Sequence, residues 1–378
     1  MFQTILFDID GVMLSEERYF DASALTVYEL LSSPKYIGLS IPELPPFSTD
    51  LEERDIREVR KTVFANDSVL RTMKQCGVNA NWDMVYLQTA FQITEVLCQL
   101  KSAGVDILSI VEITQDGWSR PVLTRIGQLI RESKLSVHFQ FDAYAKAYET
   151  ESNKQTLFRD VVVRLKQAVS DKVGPFDYEN VLWNVGQQCF QEWYLGDEYN
   201  PANSESGKCG FLTDEVPIVS PDKLSSLFVL LKSKGLTIGV GTGRPYIETS
   251  VPLESFGWLK YFDSHRISTA SDVLDAEARV PAAAPLSKPH PYAYLRSYLR
   301  EQDAKKVLKF PLPLSSDIAE EVLVVGDSVA DLLAARSIGC KFAAVLTGLE
   351  GEAARQQFEE LHADFILSDV LELKNMFD

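Results

Sequence analysis

The chain has 378 residues, of which 46% are apolar and 24% charged, and its formal net charge is -17 at pH 7. This acidity opposes non-specific nucleic-acid binding, which needs lysine and arginine against phosphates, and no apolar run is long enough to predict a membrane span. The five cysteines are scattered and form no Cys-x-x-Cys pair, which opposes a structural zinc site. Since the first residues lead straight into a presumed strand without a signal peptide, we expect a cytoplasmic protein.

The first predicted element is a buried strand in the run ILFDIDGVML, residues 5–14. Its continuous apolar residues suit a parallel sheet that is covered on both faces. The pattern then becomes helical for about 200 residues, interrupted by a proline-rich loop at 32–50 and closed by a polar connector at 200–221. Apolar residues spaced three or four apart predict helices in four segments: 50–67, 81–104, 156–173 and 179–199.

From Pro221 onward, predicted helices and strands alternate. Helical patterns cover 221–235, 244–257 and 328–339, and apolar strand patterns cover 236–241, 320–326 and 341–348. Such alternation predicts an α/β fold with a doubly wound parallel sheet. The expected organisation is therefore an α/β domain made of residues 1–15 and 217–378, with a large, mainly α-helical domain at 16–216.

Polar residues follow the predicted strands, where ligands of such sheets bind. They are Asp8 and Asp10, Thr242 and Gly243, Lys288 just before a helix, and Asp327 and Asp331. In an extended chain Asp8 and Asp10 point the same way, so they would repel each other unless a cation lay between them. A hard divalent ion with oxygen ligands resolves that repulsion, and we expect Mg²⁺.

Thr242 and Gly243 suit a phosphate group. Thr242 offers a hydroxyl, and Gly243 allows close backbone approach just before a helix N-terminus, whose free N–H groups favour an anion. The next residue, Arg244, is a candidate either for binding substrate phosphate or for capping the neighbouring structure. Metal, lysine, hydroxyl and amide donors around a carboxylate nucleophile together suit phosphoryl transfer.

This combination resembles the haloacid dehalogenase (HAD) superfamily of phosphohydrolases. The resemblance covers residues 1 to about 15 and about 217 to 378, and rests on DIDG at 8–11, GTGRP around Thr242, SKPHPYAYL around Lys288 and VVGDSVADLLAAR around Asp327 and Asp331. It implies a Rossmann-like core, and it places the helical insertion where many members carry a mobile cap. This insertion is larger than the common pattern.

The resemblance also implies a role for each matching residue. Asp8 matches the nucleophile that forms an aspartyl-phosphate, and Asp10 the general acid/base. Thr242 matches the phosphate-binding hydroxyl and Lys288 the cation that stabilises the transferring group. The expected metal ligands are Asp8, the Asp10 main-chain carbonyl and Asp327, with Asp331 either ligating the metal or positioning its water. An aspartate at position 10 favours phosphate esters over carbon-halogen or carbon-phosphorus bonds.

Several functions agree with these residues. The first is a magnesium-dependent phosphatase of a small phosphorylated metabolite, and the second a phosphomutase that returns the phosphoryl group to a bound intermediate. A phospho-receiver domain also uses strand-end aspartates. The large insertion and the aspartates late in the chain, Asp327 and Asp331, oppose that function. A non-catalytic scaffold is opposed by the intact set of chemical groups. The substrate and the oligomeric state stay open.

Overall fold

The computed structural model describes residues 2–78, 80–151, 153–176, 181–200 and 202–377. The chain divides into two compact units: a core unit of Met1–Glu17 with Leu212–Asp378, and a helical unit of Arg18–Phe211. These boundaries lie two and five residues from those expected from the sequence, at 15 and 217. The first boundary falls at the start of the first helix.

The helical unit contains no strand among its described residues. Its helices, the first of which begins one residue earlier, are α1 (Glu17–Ser32), α2 (Glu53–Val63), α3 (Ser68–Gln75), α4 (Asn81–Ser102), α5 (Leu108–Ile113), α6 (Arg120–Ser133), α7 (Ala143–Ala147), α8 (Lys154–Ala168) and α9 (Val181–Tyr199). The helix α4 is buried on nearly all sides and packs against α8 and α9, as expected for a central helix. The four helices predicted here are confirmed within the described residues, and residues 179 and 180 of the last predicted segment lie outside them.

A buried lysine organises polar side chains inside the helical unit. Lys208 Nζ lies 2.7 Å from Glu29 Oε2 and 2.6 Å from Glu192 Oε2. Cys189 also donates its thiol to Glu29 Oε2 at 3.2 Å. Burial lowers the pKa of Lys208, but the surrounding acidic groups outweigh that effect and raise it, so the ammonium stays charged and stabilises the two carboxylates.

The sheet of the core unit is parallel throughout its described residues. Its strands are β1 (Thr4–Phe7), β2 (Thr237–Gly241), β3 (Ile267–Ser268), β4 (Val322–Gly326), β5 (Lys341–Val345) and β6 (Phe365–Leu367), in the spatial order β3-β2-β1-β4-β5-β6. Ile5 and Phe7 pack into one hydrophobic layer and Leu6 into the layer on the other face. Both faces are thus covered, and the predicted doubly wound α/β fold is confirmed.

Helices separate the strands of the core unit as the alternating pattern predicts. They are α10 (Pro221–Ser233), α11 (Tyr246–Ser255), α12 (Ala270–Arg279), α13 (Tyr292–Leu299), α14 (Ala304–Lys309), α15 (Ser316–Ala319), α16 (Val329–Ile338) and α17 (Arg355–Glu360). In the part of the chain that the structure describes, no helix of either unit combines the length and the apolar content needed to cross a membrane.

The first strand is shorter than its apolar run predicts. It ends at Phe7, and the chain then makes a tight turn in which Ile9 accepts hydrogen bonds from the backbone N–H groups of three residues, 12 to 14. Gly11 adopts a left-handed φ of 67° within this turn, a conformation that favours glycine. Residues 12–14 are buried in the core without being part of the strand.

Candidate active site

The ends of three neighbouring strands bring the predicted polar residues to one edge of the sheet. Phe7, the last residue of β1, is in register with Val240 of β2 and Val325 of β4. Asp8, Thr242 and Asp327 each follow the last residue of their strand. Since the strands are parallel and adjacent, their carboxyl ends meet at the same edge, as in other doubly wound sheets.

Lys288 connects two buried aspartates at this edge. Its Nζ lies 2.9 Å from Asp8 Oδ1 and 2.7 Å from Asp331 Oδ1. Burial lowers the pKa of Lys288, but the charges of Asp331 and Asp8 outweigh burial and raise it. Burial raises the pKa of Asp8 to about 7, with Lys288 acting in the opposite direction. Apart from this ion pair, Asp8 Oδ1 meets no hydrogen-bond donor in the described chain.

Asp331 is held by the start of α16 as well as by the lysine. Its Oδ2 accepts a hydrogen bond from the Ser328 hydroxyl at 2.6 Å in a capping box, and its Oδ1 accepts one from the Tyr294 hydroxyl at 2.7 Å. A Cβ on Gly326 would lie only 2.5 Å from Asp331 Cβ, so glycine is required there. Because both carboxylate oxygens are engaged, the geometry favours a role for Asp331 in positioning Lys288 over direct metal contact.

Asp327 completes a cluster of three carboxylates. One oxygen each from Asp8, Asp327 and Asp331 lies within 4.8 Å of the others. Burial and the charges of the other two raise the pKa of Asp327, and among the described residues it has no ion pair or hydrogen bond through its side chain. Gly11 and Gly348 enclose it, because a Cβ on either would lie 2.1 or 2.2 Å from Asp327 Oδ2.

This donor set fits a hard divalent cation. The ligand atoms are all carboxylate oxygens, and their mutual repulsion is relieved by a cation with oxygen ligands such as Mg²⁺. Asp8 and Asp327 are the side chains that would hold it. Asp331 would stabilise the site without contacting the cation, through its ion pair with Lys288 and its hydrogen bond with Ser328.

Asp10 is not part of this three-carboxylate cluster, but its charge still helps to raise the pKa of Asp8 and of Asp327, so the expectation that Asp8 and Asp10 share one pocket stays a prediction. The strand behind that expectation ends at Phe7, and the Asp10 side chain contacts Arg244, whose Nε and Nη2 donate to Asp10 Oδ1 at 2.9 and 2.6 Å. The Asp10 carboxylate is therefore not among the metal ligands that the cluster offers, whereas the predicted main-chain carbonyl contact stays a prediction.

Arg244 is committed to its carboxylate partners. It is buried, and its Nη1 donates to Glu215 Oε1 at 2.6 Å and to the Glu248 carbonyl at 3.2 Å. Of the two roles that the sequence left open, this geometry favours the internal one over direct binding of substrate phosphate.

Thr242 and Gly243 lie in the loop between β2 and α11. The Thr242 hydroxyl accepts a hydrogen bond from the Arg244 N–H at 3.2 Å. Gly243 has no left-handed φ, and a Cβ placed on it would meet no atom within 4 Å. This position therefore has room for a side chain, in contrast to Gly11 and Gly348, where a Cβ would meet Asp327.

The sequence interpretation missed residues that hold the site residues in place. Ser328 had a readable signal, since Ser-x-x-Asp before an apolar run is a capping-box pattern. Tyr294 had none, because an aromatic residue at helical spacing normally indicates core. Glu215 and Gly348 lie far along the chain from their partners, so no local pattern could pair them.

Comparison with known proteins bears on the family of this chain. The HAD-hydrolase-like family model matches residues 285–373, which carry Lys288, Asp327 and Asp331. A protein whose X-ray structure comes from the Northeast Structural Genomics Consortium has 34% sequence identity to this chain and a TM-score of 0.84. The match covers 100% of this chain and 98% of that protein's chain. The chain belongs to the HAD superfamily of hydrolases.

More distant solved structures share the HAD description. A haloacid dehalogenase-like protein of Agrobacterium tumefaciens has 12% identity and a TM-score of 0.38, over 100% of this chain and 98% of its own. A HAD phosphatase of Thermococcus onnurineus has 16% identity and the same TM-score and coverage. Both are too distant to bear on the function of this HAD chain. No curated protein matches it.

Proposed function

We propose that this HAD chain is a magnesium-dependent phosphohydrolase that cleaves the phosphate monoester of a small metabolite through an aspartyl-phosphate. The observation that carries the proposal is the buried Asp8, whose Oδ1 meets Lys288 and whose carboxylate lies beside Asp327. A carboxylate so placed has a cation beside it and further positive charge available from a metal, which is the environment that phosphoryl transfer requires.

In the first step, Asp8 attacks phosphorus while the bond between phosphorus and the ester oxygen breaks. Asp10 gives its proton to that oxygen, so the product leaves as an alcohol. In the second step, water attacks the phosphorus of the aspartyl-phosphate and gives its proton to Asp10, which releases inorganic phosphate and restores the Asp8 carboxylate. Lys288 stabilises the negative charge of the transferring group in both steps, and Thr242 offers it a hydroxyl.

Mg²⁺ held by Asp8 and Asp327 would neutralise the charge on the phosphoryl oxygens. Burial raises the pKa of Asp8 to about 7 although Lys288 acts in the opposite direction, so without a metal the carboxyl group is only partly ionised at neutral pH. A bound cation would lower this pKa and favour the ionised nucleophile.

The test is phosphate release from a panel of phosphorylated metabolites, with Mg²⁺ and with a chelator. We expect Asp8→Asn to reduce release to background and Asp10→Asn to lower it by roughly 10² to 10⁴-fold. Asp275→Asn is the matched control, because Asp275 is an exposed aspartate of α12 that pairs with Arg279. Release by the Asp8→Asn variant at the wild-type rate would contradict the proposal. A phosphomutase would instead transfer the phosphoryl group between substrates without net release.

A further inference from the structure

Arg244 joins two carboxylates that come from different segments of the core unit. The guanidinium is almost completely buried, with its Nε and Nη2 on Asp10 and its Nη1 on Glu215. A buried arginine needs a carboxylate to balance its charge, and one would suffice. Two carboxylates on opposite edges of the group also fix its orientation.

The contact with Asp10 is made through one oxygen only. Both N–H groups of Arg244 point at Oδ1, and within the described chain no hydrogen bond engages Oδ2. Because Oδ1 already accepts two N–H donors, Oδ2 is the oxygen that the arginine leaves available to a ligand. The Asp10 side chain is about 26% exposed.

Glu215 fixes the opposite edge of the guanidinium. It is buried and precedes Val216, whose carbonyl accepts a hydrogen bond from Ser15 N at 2.8 Å. The segment that carries Glu215 is therefore attached to the segment that follows Asp10. Arg244 is held between two pieces of backbone that are tied to each other, so it cannot turn away from Asp10 without breaking the Glu215 contact.

We propose that Arg244 is a positioning residue: anchored by Glu215, it holds the Asp10 carboxyl group by Oδ1 and directs Oδ2 to the ester oxygen of the substrate. This inference rests on the proposed function, since it concerns the acid/base step of that reaction. It predicts that loss of Arg244 harms proton delivery to the leaving group more than it harms attack by Asp8.

The experiment compares two esters. The p-nitrophenolate released from p-nitrophenyl phosphate is a weak base and needs no proton. The alcohol of a simple alkyl phosphate would leave as a strongly basic alkoxide, so its departure depends on the general acid. We expect Arg244→Gln to lower kcat for the alkyl ester by about 100-fold, with less than a tenfold loss for the aryl ester. Asp10→Asn should give the same pattern, and Arg244→Lys should restore part of the alkyl activity.

Arg296→Gln is the matched control, because Arg296 is another buried arginine of the core unit that pairs with a carboxylate, Asp272, at 2.8 Å. It should change the activity on both esters equally. Glu215→Gln keeps Arg244 and should give a weaker selective loss, of about tenfold, even if Arg244→Gln does not fold.

If Arg244→Gln lowers the activity on both esters equally while the wild-type enzyme is active, this inference alone is overturned. A higher KM of Arg244→Gln with unchanged kcat would also overturn it, because that result would indicate phosphate binding by Arg244. An inactive wild-type protein on both esters would overturn the proposed function, and this inference with it.

Discussion

Replacing Gly348 with alanine should displace one carboxylate of the acidic cluster. A Cβ at position 348 would lie 2.2 Å from Asp327 Oδ2, whereas an ordinary contact begins at 3.4 Å, so the carboxylate must move by about 1.2 Å. The backbone of Gly348 is not left-handed, so alanine fits its conformation and the conflict is with the end of one side chain. The fold should survive at a cost of about 1–3 kcal/mol.

The expected effect is on magnesium. Ligands of Mg²⁺ must approach an octahedral geometry closely, and disturbing the support of a metal ligand typically costs 10 to 100-fold in affinity. This corresponds to about 1.4–2.7 kcal/mol of binding free energy. We therefore expect Gly348→Ala to raise the Mg²⁺ concentration for half-maximal activity by that factor, while activity at saturating Mg²⁺ is largely kept.

The assay is a magnesium titration of phosphate release, together with the Mg²⁺-induced shift of Tm in the absence of substrate. Gly186→Ala is the control, since its Cβ would meet only a Val85 methyl group, at 3.2 Å, inside the helical unit. A Gly348→Ala protein with the wild-type magnesium dependence in both measurements would refute the assignment of Asp327 as a metal ligand.

Three further predictions concern buried charges and thiols. Lys288→Met should abolish phosphate release and lower the stability by about 3–5 kcal/mol, because two buried carboxylates lose their cation; an unchanged Tm would contradict this. Lys208→Met should destabilise the helical unit by a similar amount in urea unfolding, and adding Glu29→Gln should recover part of the loss. Burial raises the pKa of Cys340 to about 12, so its thiolate is scarce even at pH 9, and the exposed Cys209 should react first with a thiol reagent; Cys209→Ser should remove that fast phase.

The sequence predicted the strands that are buried on both faces, and it missed the marginal ones. The strands β1, β2, β4 and β5 are mostly apolar and lie in the middle of the sheet, so their burial can be predicted from the pattern. The two residues of β3 and the three half-buried residues of β6 are too short to give a period, and they form because a neighbouring strand supplies hydrogen-bond partners.

For the site, motif spacing predicted which residues reach the sheet edge but not which way each side chain points. Alternation along a strand predicted that Asp8 and Asp10 point the same way, but the strand ends at Phe7 before either of them. The partner of Asp10 is Arg244, more than two hundred residues later, and this pairing depends on the tertiary fold. The cation beside Asp8 was predicted, because Lys288 stands in a motif of its own.

The position of β1 in the sheet has a consequence for how the protein is made. Thr4 pairs with Thr237 on one side and with Val322 on the other. The helical unit, Arg18–Phe211, lies between β1 and both of these partners in the chain, so it is synthesised before β1 has any neighbour. During synthesis the apolar N-terminal strand must wait unpaired for its partners, and closing so long a loop makes assembly of the sheet slow. A nascent chain stopped before β2 would have no neighbour for β1, and this exposed apolar strand would be a natural binding segment for chaperones.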